Sequence, residues 1–318
     1  MPKEKKVLTI GDAMITMNPK TTGPLRYVST FERKVGGAEL NFAIGCARLG
    51  VDTTWVSRLG NDEFGRVIYN FARGEGVQMS HVEFVEGHPT SVNFKEIRED
   101  GSGKTFYYRT NSPVLTFTKE QFTKELFAGI DVFHISGVFM AIDPQNVLLI
   151  QHLVKLAKEW GVTVSFDPNL RLKLWTIEEA REAFTLLWPY IDIVLTGLDE
   201  IELVLGYSDQ GSLATFSDQH HIQDFVIKDG ANGSLLYSEG KWVTAEAFPV
   251  TPIDTVGAGD GFDAAYIYAS LQNIPASERL RVANGAGALV TTVSGDNEGL
   301  PYLAELNRFI KNESTIER

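Results

Sequence analysis

Short runs rich in β-branched and aromatic residues alternate along this chain with segments whose apolar residues recur at helical spacing, and that alternation leaves few folds open. Strands are expected over residues 7–10, 53–56, 132–136, 162–166, 191–195 and 225–227. The clearest helix is expected over 146–160, where Val147, Ile150, Val154, Ala157 and Trp160 fall on one face and Gly161 stops the run. Consecutive strands joined through helices must run parallel, and the helices then cover both faces of the sheet. The expected fold class is therefore α/β, a doubly wound and mainly parallel sheet flanked by helices. Two stretches, 14–35 and 88–110, break the rhythm. They alternate polar and apolar residues and carry turn signals at Asn18-Pro19, Thr22-Gly23-Pro24 and Asp100-Gly101-Ser102-Gly103, as hairpins standing outside the main sheet would. No repeat, low-complexity tract or linker divides the chain, so residues 1–318 are expected to form one domain.

Of the 318 residues 43% are hydrophobic, which is sufficient for a sizeable core. A formal net charge of −12 argues against generic binding to nucleic acid or an acidic membrane, so any anionic substrate has to meet locally placed cations. Arg109 and Arg171, near predicted strand ends, gain weight for that reason. The apolar run behind the charged N-terminus is too short for a signal peptide, and no stretch approaches the roughly 18 apolar residues of a membrane span. A cytoplasmic protein is expected, and the sequence leaves its oligomeric state open, homo-oligomers included. Cys46, the single cysteine, excludes an intramolecular disulfide and reads as a small buried hydrophobe in the helical pattern 39–49. No Cys/His spacing suits a metal, and the adjacent His220 and His221 read as part of a solvated loop.

The chemistry concentrates in Asp254-Thr255-Val256-Gly257-Ala258-Gly259-Asp260-Gly261-Phe262-Asp263-Ala264, where small residues precede an apolar pattern that reads as the first turns of a helix. A glycine-preceded helix N-terminus is a ready anion site. Asp260 inside it is electrostatically awkward unless it takes a proton, for instance from a hydroxyl attacking phosphorus, although an ordinary helix cap is the simpler alternative. Residues following the other strands are also polar or glycine-rich: Gly11-Asp12, Asp167-Pro168-Asn169-Leu170-Arg171, Thr196-Gly197-Leu198-Asp199-Glu200 and Lys228-Asp229-Gly230-Ala231-Asn232-Gly233. Ligands of doubly wound sheets bind at those carboxyl ends. A dinucleotide fingerprint is excluded, because no Gly-x-Gly-x-x-Gly follows the first strand.

The 254–260 segment resembles the Asp-Thr-x-Gly-Ala-Gly-Asp signature of the ribokinase-like (PfkB) carbohydrate kinases, and Gly36-Gly37-Ala38-Glu39-Leu40-Asn41-Phe42-Ala43, with Ala47-Arg48-Leu49-Gly50 and Gly60-Asn61-Asp62-Glu63-Phe64-Gly65, resembles the N-terminal signature of the same family. That resemblance implies a ribokinase-like fold in which the two extended stretches form a small β lid over a sugar site. It implies Asp260 as general base, with Gly257, Ala258 and Gly259 offering amides to the γ-phosphate of ATP. Lys228, Gly230 and Gly233 match the nucleotide loop, with a solvent-facing lysine as the alternative for Lys228. Asn284 aligns near the adenine, unless it is simply a helix-surface amide. Glu200 matches the glutamate of an Asn-x-x-Glu motif whose asparagine is here Gly197, with Thr196 beside it as a substitute. Mg²⁺ is expected to arrive with ATP on phosphates and waters. Asp254 is a candidate for a K⁺-like ion beneath the anion loop or, equally, for stabilising a turn.

On the acceptor side, Asp12, Gly36, Gly37 and Asn41 match positions that hold sugar hydroxyls. Tyr107 and Arg109, with Arg171, look like their counterparts in the 2-keto-3-deoxygluconate kinases of the family, where such residues engage an acid sugar. Guanidinium groups suit a carboxylate; pairing of Arg109 with a neighbouring acid such as Glu99 is the plainer reading. The expected partners are thus a small acid sugar and ATP, with no nucleic acid and no membrane. The expected activity is phosphorylation of the terminal hydroxyl of 2-keto-3-deoxy-D-gluconate, with a fructokinase or other ketose or ribose kinase as the first rival and a non-catalytic sugar- or nucleotide-sensing paralogue as the second.

Overall fold

The computed structural model describes residues 5–99 and 103–312. Thirteen strands occur among them: β1 (Lys6–Ile10), β2 (Met14–Pro19), β3 (Phe31–Gly36), β4 (Asp52–Gly60), β5 (Gln78–Val85), β6 (Ser91–Ile97), β7 (Gly103–Tyr108), β8 (Val132–Ser136), β9 (Thr163–Asp167), β10 (Ile193–Gly197), β11 (Asp224–Lys228), β12 (Ser234–Ser238) and β13 (Lys241–Ala245). Nine form one sheet, in the order β13-β12-β11-β10-β9-β8-β1-β4-β5, parallel from β11 through to β5 and antiparallel where β12 and β13 close one edge. All six expected strands are present. The three unexpected members are β5, an edge strand whose exposed polar residues hide its periodicity, and the hairpin β12–β13.

The helices are α1 (Ala38–Arg48), α2 (Glu63–Gly74), α3 (Gly137–Met140), α4 (Pro144–Glu159), α5 (Ile177–Thr185), α6 (Leu198–Leu205), α7 (Gln210–His220), α8 (Ala258–Leu271), α9 (Ala276–Thr291) and α10 (Leu303–Lys311). Side chains alternate across a strand, and the core divides accordingly. Leu8, Phe133 and Phe225 join the cluster formed with α4, α5, α6 and α7, while their neighbours Val7, Val132 and Val226 join the one formed with α1, α8 and α9. The sheet is therefore covered on both faces, as expected. Helix α4 starts earlier than its apolar pattern does, because Asp143 accepts from the Gln145 N–H at 2.8 Å and Pro144 sits in the first turn. His220 and His221 are not in a loop: α7 buries Leu213, Phe216 and Ser217, runs to His220, whose ring lies 4.5 Å from that of Phe216, and ends on a left-handed His221. No helix among the described residues is long and apolar enough to cross a membrane.

The two arrhythmic stretches build a second sheet, ordered β3-β2-β6-β7. Each contributes an antiparallel pair, and a parallel pairing of β2 with β6 joins the pairs. The 100–102 part of the expected turn lies outside the described residues. Register sets the function of this sheet's faces. Asn93 opposes Tyr107 and Lys95 opposes Thr105, and these four, with Arg109, line one cavity. Phe94 faces the other way and packs edge-on against Phe31 and Tyr108. Lys95 bonds the Asp296 carboxylate at 2.9 Å, and Lys34 the Ser294 carbonyl at 2.7 Å, so the small sheet is tied to the segment after α9.

Candidate active site

The chain runs outward from β1 to β4 and β5 and then returns to β8 on the other side of β1, which makes a topological switch point between β1 and β8. At the carboxyl ends of the strands around it lie two cavities of about 660 and 750 Å³, which share Lys228, Thr255 and Gly259 in their walls. The smaller is mostly apolar, walled by Phe248, Pro249, Val250 and the small residues Gly230, Gly233 and Gly287. The larger, beneath the small sheet, is the more polar of the two and holds Asn41, Tyr107, Arg109, Arg171, Glu200 and Asp260. Sequence positions from seven separate segments thus converge on one cleft with two halves.

The anion loop joins the halves. Gly257 caps α8 with φ +78°, a left-handed conformation that favours glycine, and a Cβ there would collide with the Asp296 carbonyl. No side chain caps this helix, so its first-turn amides lack partners of the kind a cap supplies. Ala258 departs from expectation, since its N–H donates to the Thr255 carbonyl at 3.3 Å. Asp254, below the loop, accepts from the Val256 and Gly295 amides at 3.1 and 3.2 Å, which is turn-stabilising work.

Asp260 is half-buried within the first turn, and Asn41 donates to its Oδ2 at 2.8 Å while Asn297 donates to the Asn41 Oδ1 at 3.2 Å. Burial pushes the Asp260 carboxyl up to about 7, against the Asn41 hydrogen bond; the Asp167 charge adds to the rise, and Arg171 and Lys228 oppose it. A carboxylate poised near neutrality is suited to taking a proton and giving it up again. Asn41, expected as a contact to sugar hydroxyls, is here also the group that orients this carboxylate.

The remaining acceptor-side residues divide by availability. Asp12 is inside the protein rather than in the cavity wall: Ser112 donates to its Oδ1 at 3.1 Å, and Ser91 and Arg109 donate to its Oδ2 at 3.2 and 3.0 Å. Arg109, with only 8% of its side chain exposed, is accordingly paired with Asp12 and not with Glu99. Arg171 is exposed, donates only to its neighbour's carbonyl, that of Leu170, at 3.2 Å, and makes no ion pair among the described residues. Gly37 lines the cavity, and a Cβ on it would stand 2.6 Å from the Asp12 carbonyl. Gly36 packs against the Asp296 carboxylate.

On the nucleotide side, Lys228 does not face solvent: its Nζ lies 3.0 Å from Asp263 Oδ1 and 3.2 Å from Asp167 Oδ2. Asn284 is buried and donates to the Ala245 and Glu246 carbonyls at 3.2 and 3.1 Å, so it shapes the cavity wall instead of lying on a helix surface. Glu200 accepts from the amides of Leu170 at 2.9 Å and Gly197 at 3.2 Å. With Gly197 in place of a side-chain donor, the glutamate closes the turn on the backbone itself. Lys95 and Asp296 in the cavity wall, and Asp263 and Asn297 through their bonds to Lys228 and Asn41, belong to the candidate site and were not singled out from the sequence. Only Lys95 left a signal, at the two-residue spacing from Asn93 that puts both on one strand face.

Glu39, in the signature helix α1, is fully buried, accepts from the Phe139 N–H at 3.2 Å, and is pushed up to about 8 by burial, with the Asp260 and Asp12 charges adding to the rise. Its raised value means the fold loses stability as pH climbs from the ordinary carboxylate range to about 8. Glu39→Gln should remove that slope. Urea midpoints should show the variant gaining on the native protein between pH 5 and pH 8 and holding a constant gap above; a gap independent of pH would mean that Glu39 is ionised in the fold.

A profile of the pfkB carbohydrate kinase family matches residues 4–303. The chain is similar to the 2-dehydro-3-deoxygluconokinase of Thermoproteus tenax, 31% identical over 309 residues that cover 96% of this chain and 94% of the relative. It is as similar to fructokinase-1 of Zea mays, 31% identical over 316 residues that cover 96% and 97%. Among solved structures, a candidate ribokinase II of E. coli in complex with ATP and Mg²⁺ superposes with a TM-score of 0.90 at 26% identity, covering 97% of this chain and 100% of that one.

Proposed function

Because this chain belongs to the pfkB family of carbohydrate kinases and is a sugar kinase, we propose that its acceptor is a sugar acid, 2-keto-3-deoxy-D-gluconate, phosphorylated at the terminal hydroxyl with ATP as donor. The relatives act on acid and neutral sugars at equal identity, so the choice rests on the cavity. One observation carries it: Arg171, an unpaired guanidinium in the wall of the sugar cavity whose charge reaches Asp260. A neutral ketose offers that cation hydroxyl oxygens but no charge, whereas a carboxylate matches its fork. Arg109, committed to Asp12, serves by fixing the polar floor and by standing 6.0 Å from the Tyr107 ring centroid.

In this reading the nucleotide occupies the apolar cavity against Gly230, Gly233 and Asn284, with its phosphates toward Lys228 and the anion loop. Asp260 takes the proton of the acceptor hydroxyl, the oxygen bonds to the γ-phosphorus, and the bond from that phosphorus to the bridging oxygen of ADP breaks. The amides of Gly257 and Gly259 receive the charge that develops on the transferred group. Mg²⁺ would be carried by the phosphates and waters, with Glu200 a carboxylate in the wall that can meet its hydration shell. The small sheet acts as a lid that excludes water from the transfer.

The test is Arg171→Ala. The kcat/KM ratio of 2-keto-3-deoxygluconate over fructose should fall about 10-fold or more, the scale of one charge-assisted hydrogen bond, while the rate on fructose stays near its native value. An unaltered ratio would make Arg171 structural and put a neutral ketose first among the acceptors.

A further inference from the structure

Lys228 is the charged residue common to the walls of both cavities, and its ammonium lies directly beneath the anion loop, 3.7 Å from where a Cβ on Gly259 would be. Two buried carboxylates hold it there. Asp263, 1% exposed, stands one turn beyond Asp260 on the same helix and contacts Nζ through both oxygens, at 3.0 and 3.3 Å; Asp167 reaches it from the end of β9 at 3.2 Å. The two carboxyls are close enough to act on one another. Burial and the neighbouring Asp167 charge hold Asp263 well above the ordinary carboxylate range, against the pull of the Lys228 ammonium. Burial pulls Lys228 down, but the carboxylates of Asp167, Asp263 and Glu200 outweigh it and keep the ammonium charged.

A buried ion cluster is poor stabilisation compared with apolar packing, and this one sits where the two substrates must meet. We propose that Asp263, with Asp167, is a positioning residue for phosphoryl transfer. Together they hold the Lys228 ammonium, largely shielded from water, at the junction of the cavities, where it acts chiefly on the phosphoryl group in passage. Charge on that group is then balanced by a cation that need not reorganise during the step. The inference rests on the sugar kinase activity and is independent of which sugar is the acceptor.

The experiment measures Asp263→Ala, Asp263→Asn and Lys228→Met, with the sugar that the native enzyme turns over fastest, alongside calorimetric binding of a non-hydrolysable ATP analogue with Mg²⁺. Asp263→Ala should lose about 10- to 100-fold in kcat, the scale of a misplaced transition-state cation or donor, with KM for MgATP and analogue affinity changed less than about threefold. Asp263→Asn, which keeps a hydrogen bond to each partner, should restore kcat to within about threefold of native. Lys228→Met, which fills the same space, should lose at least as much kcat as Asp263→Ala and keep most of its analogue affinity, and it decides the matter if Asp263→Ala does not fold. The proposal is overturned if a folded Asp263→Ala or Lys228→Met turns over at the native rate, or if the loss appears in KM and analogue affinity with kcat preserved.

Discussion

Asp260→Asn is expected to lower kcat by about 10²- to 10⁴-fold, the range for losing a positioned base, while sugar and nucleotide still bind. The structure makes the substitution clean in shape, since Asn41 can bond the new amide oxygen as it bonds Oδ2. It also adds two pH signatures. With the native carboxyl pushed up to about 7, kcat/KM of the native enzyme should fall as pH drops through 7, because the protonated acid cannot take the hydroxyl proton; the residual activity of the variant should lack that limb. Stability should move in the other direction. A carboxyl raised in the fold favours the folded state below its unfolded value and forfeits that contribution as pH rises toward 7, so the variant should gain on the native protein from pH 4 to pH 7. Turnover near the native rate would remove Asp260 from the role of base. A drop in turnover with an unchanged acidic limb would place the titrating group elsewhere, with Glu39, also raised and electrostatically linked to Asp260, the first alternative.

The parallel sheet and its cover were legible because burial on both faces writes long apolar runs into the strands, and helical spacing into the segments between them. Edge strand β5 was not, since Ser80, His81 and Glu83 face water and carry no apolar period. Residues of the site carried by local motifs converge in space: Asn41 from one end of the chain bonds Asp260 near the other. What sequence could not supply was pairing. Arg109 read as a ligand of an acid sugar or as the partner of a nearby acid such as Glu99, and Lys228 as part of the nucleotide loop or as solvent-facing; the fold places them against Asp12 and against Asp167 and Asp263. Those partners lie 97, 61 and 35 positions away, and no local rule connects them. The Lys95–Asp296 bridge was hidden for the same reason, across 201 positions. Pairing separates the two arginines: Arg109 is committed to Asp12, and Arg171 makes no ion pair among the described residues.

Gly257→Ala should be nearly as damaging to turnover as loss of the base, for a reason that is wholly backbone. Residue 257 holds φ +78°, which costs an alanine about 1 kcal/mol or somewhat more, and its Cβ would also collide with the Asp296 carbonyl. Neither neighbour can yield easily. The Asp296 carboxylate is held by Lys95 from the small sheet, and the Asp254 carboxylate ties Val256 to Gly295. The anion loop is therefore the part that must move, and displaced amides no longer point at the transferring phosphoryl group. Loss of one such donor costs about 10²- to 10³-fold in kcat, so a fall of about 10²-fold is expected, with nucleotide affinity reduced less. Gly240→Ala separates the two causes. Its φ is +74°, nearly the same, but nothing lies within 4 Å of a Cβ there, in the turn between β12 and β13 away from the cleft. That control should pay the same backbone strain in thermal stability and keep its turnover. If Gly257→Ala lowers Tm no more than Gly240→Ala and keeps kcat within about threefold of native, the loop tolerates a side chain at this point, and its amides are not the groups that receive the phosphoryl charge.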